Sequence, residues 1–178
     1  MQVSDYTFSG QLEMSNGQAA TDDICQVLLQ VIPGALNVHK SATQNDKKGV
    51  DYWIETVNCG HLAVDVKVRE IDWAARDKDK DDLALETWSV VENQSIGWTR
   101  DESKKCDYVF WYWIETKRWC LIPFRELCAV FKQKWQKWGS EYGLQRQLTK
   151  PSNYHSECVF VPRRIVWAEI YKFCGGNS

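Results

Sequence analysis

No stretch of this chain is apolar for long enough to span a bilayer. The N-terminal MQVSDYTFSG carries neither a basic start nor an apolar run, so it does not read as a secretory leader. The seven cysteines, at 25, 59, 106, 120, 128, 158 and 174, include no CxxC pair. Their odd number and irregular spacing argue against a disulfide frame, an iron–sulfur cluster or a zinc site, and for free thiols in a reducing compartment. Histidines are few: 39, 61 and 155 are scattered and show no triad or zinc spacing. There is no internal repeat and no low-complexity tract. What remains is a chain of 178 residues, 44% hydrophobic and 26% charged, which fits one globular domain with a sizeable core and a cytoplasmic location.

Two features are in excess. Ten tryptophans and 13% aromatic residues point to an aromatic core, to stacking surfaces, or to both. The net charge of −2 conceals a split: residues 1–99 sum to −8, residues 100–150 to +5 and residues 151–178 to +1. An acidic part suits cations and a basic part suits phosphates, although solvated surface accounts for most single charges.

Residues 1–20 are polar and read as an arm. A helix is expected from Thr21, an N-cap type followed by Asp22 and Asp23 in the first turn, with Ile24, Val27, Leu28 and Val31 as its apolar stripe and Pro33-Gly34 as its stop. Residues 37–49 read as loop. Two alternating runs, Val50 to Val57 and His61 to Arg69, flank Asn58-Cys59-Gly60 and read as a hairpin with Gly60 in the left-handed place. Residues 76–82 and 93–105 are polar connections, and 83–91, 106–114 and 119–123 are strands. Apolar residues at 124, 127, 128, 131, 135, 138 and 142 keep helical spacing up to Gly143. A strand over 158–162 precedes a segment, 165–173, compatible with helix or strand. This order predicts an α/β or α+β chain, a mixed sheet flanked by helices, as a single domain of arm (1–20), core (21–123) and completing helix and strand (124–178).

The hairpin carries the chemistry. With a loop at 58–60, Asp51 opposes Lys67, Trp53 opposes Asp65 and Glu55 opposes Ala63, so Asp51, Asp65 and Lys67 share one face. Tyr52, Ile54, Leu62, Val64, Val66 and Val68 form the other, fit for burial. A one-residue slip would bury the charges, so the apolar pattern sets the face. Two neighbouring carboxylates repel unless neutralised, and Mg²⁺ does this with oxygen ligands while polarising a phosphoryl oxygen. A lysine beside them orients water or stabilises developing charge.

Helix, then Asp51 at the head of one strand, then Asp65-Val66-Lys67 on the next, resembles the PD-(D/E)xK nuclease superfamily over residues 21–123. The resemblance implies a restriction-endonuclease-like mixed sheet, dependence on Mg²⁺ (or Mn²⁺) and hydrolysis of nucleic-acid phosphodiesters, DNA foremost. It makes Asp51 and Asp65 metal ligands and Lys67 the catalytic lysine. Val50 stands where the family has proline, and the acid that many members carry on the first helix has only Asp22 and Asp23 as candidates. Three other D/E-x-K tripeptides, at 46–48, 102–104 and 115–117, lack a hairpin to complete them.

Glu86, on the strand expected to follow the hairpin, is a further candidate ligand or water-positioning group, against an exposed strand glutamate. Lys117, Arg118, Lys132, Lys134, Lys137, Arg163 and Arg164 are candidates for tracking a phosphate backbone, against a solvated surface. Trp135 and Trp138 read as core; Trp111 and Trp113 read as a strand buried on both faces. A homodimer is open, since many nucleases of this type act as dimers. The competing expectation is a catalytically silent protein with the nuclease fold, such as a phage or mobile-element factor that binds a host protein or a nucleic-acid complex.

Overall fold

The structure, a computed structural model, describes residues 18–41, 48–149 and 153–176; most of the expected N-terminal arm lies outside them. The chain is α+β, with a mixed five-stranded sheet, an antiparallel four-stranded sheet and helices packed on them. It divides into two compact units, Met1–Asp72 with Lys105–Leu121, and Trp73–Lys104 with Ile122–Ser178. Among the described residues no helix is long and apolar enough to cross a membrane, and all seven cysteines are free.

The first unit opens with α1 (Gln18–Val31). It begins three residues ahead of the expected Thr21 cap, because Ala19 and Ala20 are strong helix formers and extend it backwards. Thr21, Asp22 and Asp23 therefore lie inside it. The helix ends where expected, with Gly34 at φ +73. Then come β1 (Ala35–Lys40), β2 (Tyr52–Thr56) and β3 (Gly60–Arg69), a meander of antiparallel neighbours. β1 corrects the loop expected from residue 37. Its sequence, ALNVHK, has little alternation because it is an edge strand, held by its ladder to β2. β6 (Tyr108–Trp113) adds to β3 in parallel, and β7 (Arg118–Pro123) completes the order β1-β2-β3-β6-β7.

The core of this unit forms where one face of α1 meets one face of the sheet. Ile24, Leu28 and Ile32 pack with Tyr52, Ile54, Val64, Phe110 and Tyr112, and Leu62, Val66 and Val68 close the cluster. Each fully buried Ile or Leu contributes roughly 1.5–3 kcal/mol. The apolar face predicted for the hairpin is this one. β6 is buried on both faces, as a strand paired in parallel inside a sheet should be.

The second unit holds α2 (Trp73–Arg76), β4 (Asp82–Val90), β5 (Ser95–Ile96), α3 (Phe124–Tyr142), β8 (Leu144–Thr149), β9 (Tyr154–Pro162) and α4 (Arg163–Phe173), with sheet order β5-β4-β9-β8. α3 matches its sequence pattern end to end, stops at Gly143 (φ +82) and packs on β9 and α4. α4 settles the segment at 165–173 as helix. β8 has little burial of its own and exists as the edge partner of β9.

Gly97 lies against β4. A Cβ there would stand 2.4 Å from the Glu86 carbonyl oxygen, a backbone atom that cannot swing away. Gly97→Ala should lower stability by roughly 1–3 kcal/mol, the scale of an overpacked contact. A urea midpoint equal to wild type would refute this.

Candidate active site

The hairpin turns at residues 57–59, one position earlier than expected, and Thr56 pairs with Gly60. The Thr56 hydroxyl explains the choice. Its Oγ1 accepts the Cys59 N–H at 3.0 Å and donates to the Gly60 carbonyl at 3.2 Å, which closes the turn locally. Gly60 has the expected left-handed conformation, at φ +70.

The expected register is corrected as a result. Trp53 opposes Ala63, not Asp65, and Glu55 opposes His61, not Ala63. Continued by one residue, this ladder sets Asp51 opposite Asp65 in place of Lys67. A shift of two residues keeps every side chain on its predicted face, because strand side chains repeat with period two. The correction brings the carboxylates closer together than expected.

Asp51 sits just ahead of β2, where the β2–β3 ladder ends. Its N–H donates to the Val64 carbonyl at 2.9 Å and its carbonyl accepts from Ser41 N–H at 2.7 Å. Its Oδ2 accepts the Val66 N–H at 2.6 Å, so the side chain takes the place of the next β2 residue. Asp65 is buried, at 5% exposure. Lys67 Nζ donates to Asp65 Oδ1 at 2.9 Å and lies 2.8 Å from Oδ2, straddling the carboxylate. On the neighbouring strand, the buried Val109 and Trp111 stand in register with Asp65 and Lys67. This flank keeps water away from the charges.

Burial, and next the Asp65 carboxylate, push the Asp51 carboxyl up to about 7; Lys67 and the Val66 N–H only partly oppose them. Burial works against the Lys67 ammonium, but Asp65 and Asp51 outweigh it and hold its pKa above the ordinary value. The arrangement is two facing carboxylates with one cation, held on Asp65, short of one positive charge.

The titration has a sign. Below about pH 4 Asp51 is protonated in the folded and the unfolded chain, and its contribution to stability is fully present. As pH rises toward 7, only the unfolded chain ionises there, and the contribution is lost by the time pH passes about 7. In EDTA, Asp51→Asn should therefore be more stable than wild type near neutral pH by roughly 2–4 kcal/mol. The difference should shrink toward pH 4. Thermal melts across this range check it, and a pH-independent difference would sink it.

The remaining predicted residues are placed as follows. Glu86 lies on β4, which pairs with β5 and β9 and not with the hairpin. Its carboxylate accepts the Trp98 N–H at 2.9 Å, and its own N–H donates to Thr99 Oγ1. Asp23 accepts from Tyr112 OH at 3.1 Å and pairs with Lys117 at 3.1 Å. Arg118 makes a two-pronged pair with buried Asp72, both prongs at 2.8 Å, and stacks on Trp113. Lys132 pairs with Glu102, Lys134 with Glu169 and Arg163 with Asp81. Lys137 and Arg164 are exposed. Five of the seven cations proposed for phosphate binding thus have carboxylate partners. Trp138 is core as expected, while Trp135 is half-buried under the Arg100 guanidinium.

One group escapes the sequence pattern. His39, Glu55 and His61 meet on the Asp51 face of the meander, with Glu55 Oε1 at 3.2 Å from His39 Nε2 and 3.7 Å from His61 Nε2. With residues 37–49 taken as loop, nothing places His39 beside the hairpin; β1 does. Among the described residues, there is no group of three or more His, Cys, Asp or Glu that could hold a metal ion. Compared with known protein families, curated proteins and solved structures, the chain matches none.

Proposed function

We propose that this chain is a metal-dependent nuclease of the PD-(D/E)xK kind, acting on nucleic acid and on DNA first. Asp51 and Asp65 would hold Mg²⁺ or Mn²⁺, and Lys67 would serve the reacting phosphate. The observation that carries this is the facing pair Asp51 and Asp65, with Asp51 driven up to about 7. Such a pair retains a proton where a divalent cation would remove the repulsion, and its all-oxygen donor set suits a hard ion. When bound, the ion supplies phosphoryl polarisation and a more acidic water. The protein supplies the rest. Val66 N–H aims the Asp51 carboxylate, Lys67 holds Asp65, and the buried Val109 and Trp111 beside β3 keep these charges strong. The Lys67 ammonium is the cation at hand for charge developing on the phosphate. The free thiols accord with a reducing cytoplasm.

A second reading, a silent nuclease-fold protein that binds a partner, is favoured by the paired state of Lys117, Arg118, Lys132, Lys134 and Arg163. Phosphate binding would have to compete with those carboxylates. The deciding experiment incubates the purified chain with single- and double-stranded DNA and RNA in Mg²⁺, Mn²⁺ or EDTA, beside Lys67→Ala. Cleavage that needs the metal and is lost in the variant supports the nuclease. Identical behaviour of wild type and variant refutes it.

A further inference from the structure

The second unit holds a cation that folding has partly dried but not paired. Residues Trp98–Arg100 form a single 3-10 turn packed between β4 and α3. The turn is pinned to β4. Glu86 accepts the Trp98 N–H at 2.9 Å, the buried Thr99 hydroxyl oxygen accepts the Glu86 N–H at 3.0 Å, and Gly97 permits the close approach. Arg100 is thereby driven between two rings. Its guanidinium carbon lies 4.6 Å from the centre of Trp88 on β4 and 4.4 Å from that of Trp135 on α3. Nη1 donates to the Thr87 carbonyl at 3.0 Å, which holds the fork in place. Arg118, Arg146 and Arg163 each have a carboxylate partner; among the described residues Arg100 has none. Burial lowers its pKa from the ordinary value, with no carboxylate to oppose the shift.

The guanidinium borders a cavity of about 340 Å³, a size usual for small-ligand clefts. The whole lining belongs to the second unit. Trp135 and the exposed Ile96 give an apolar wall, and Lys132 adds a second cation. Two acids also line it. Asp101 Oδ1 is engaged by the Ser103 N–H at 3.0 Å and by the Ser103 hydroxyl at 2.6 Å. Glu102, whose side chain is 70% exposed, reaches Lys132 at 2.7 Å. It stands in the place of an anion on a stem that solvent leaves free to swing.

We propose that this cavity binds a nucleoside monophosphate. The phosphate takes the remaining N–H groups of Arg100 and the Lys132 ammonium, displacing Glu102, and the base lies along Trp135 and Ile96. A planar guanidinium matches phosphate oxygens, and an aromatic wall accepts any base. Two sources present this chemistry, a free nucleotide and the 5′-phosphorylated end of a strand. Neither needs Asp51, Asp65 or a metal, so the proposal stands apart from the nuclease reading.

The test titrates the full chain in EDTA, by calorimetry, with dAMP, with deoxyadenosine, and with a short single strand ending in a 5′-phosphate or a 5′-hydroxyl. One equivalent of dAMP should bind. Deoxyadenosine should bind at least about tenfold more weakly, the scale of one charge-assisted hydrogen bond. Arg100→Met, which keeps an apolar stem between the two rings, should weaken dAMP by a similar factor. Glu102→Gln should tighten it, because the competing anion is gone; a guanidinium that only packs on tryptophan predicts no such gain. A phosphorylated strand that outbinds both dAMP and its hydroxyl counterpart assigns the strand end, and any other order assigns the free nucleotide. The proposal is overturned by absence of saturable dAMP binding, by equal affinity for deoxyadenosine, or by wild-type affinity in Arg100→Met or in Glu102→Gln. Circular dichroism checks the fold of each variant. Glu102→Gln changes an exposed side chain, so it decides the matter even where Arg100→Met does not fold.

Discussion

Under the proposed nuclease function, Lys67→Ala should reduce metal-dependent cleavage by roughly 10²–10³-fold, the scale of removing one preorganised charge stabiliser. The variant removes the cation that straddles Asp65 at 2.8 and 2.9 Å. Its effect is expected in turnover more than in substrate binding, because charge on the phosphate grows only toward the transition state. Loss of the ammonium also leaves Asp51 and Asp65 facing each other with less compensation. The variant should therefore take up a divalent cation with undiminished or greater affinity while failing to cleave. Single-turnover rates and metal titrations separate the two effects. Wild-type turnover in Lys67→Ala would remove Lys67 from the chemistry.

Asp72→Ala should cost roughly 3–5 kcal/mol of stability, the range for breaking a buried ion pair from one side. The Asp72 side chain is 2% exposed and Arg118 is 26% exposed. The two Arg118–Asp72 bonds, the Thr116 hydroxyl donating to Asp72 at 2.7 Å and the Trp113 ring under the guanidinium form one network. Alanine at 72 would strand a largely buried guanidinium against an aromatic ring. The double variant Asp72→Ala/Arg118→Met should recover much of the loss, since an apolar replacement carries no charge to desolvate. Equilibrium urea unfolding of wild type, single and double variants measures this. A loss below about 1 kcal/mol, the level of a surface pair, would show that the network is not buried in effect. A phosphate contact by Arg118 would have to compete with this buried pair.

Much of the fold is legible from periodicity alone. The hairpin faces, the strand from 82 to 90 and the helix from Phe124 to Tyr142 each follow from apolar spacing. The strands that escape are β1, β5 and β8, all at sheet edges. Edge strands owe their form to backbone bonds with a neighbour, and backbone bonds leave no mark in side-chain pattern. The ion pairing of the basic residues is illegible for a related reason. A lysine run signals positive charge, but Glu102, Glu169 and Asp81, which neutralise Lys132, Lys134 and Arg163, are distant in sequence.

The sequence by itself determined that Asp51, Asp65 and Lys67 share a face. Alternation has period two, and Tyr52, Ile54, Val64 and Val66 must be buried together. Tertiary structure decided which of the three meet. The Thr56 hydroxyl set the turn one residue earlier by local hydrogen bonding, which moved the register by two and set carboxylate against carboxylate. The same packing brought β1 alongside and placed His39 next to Glu55. Faces are a property of one strand and can be counted. Opposition across strands depends on turn chemistry and on edge pairing, where energies of about 1 kcal/mol choose between registers of equal hydrophobic fit.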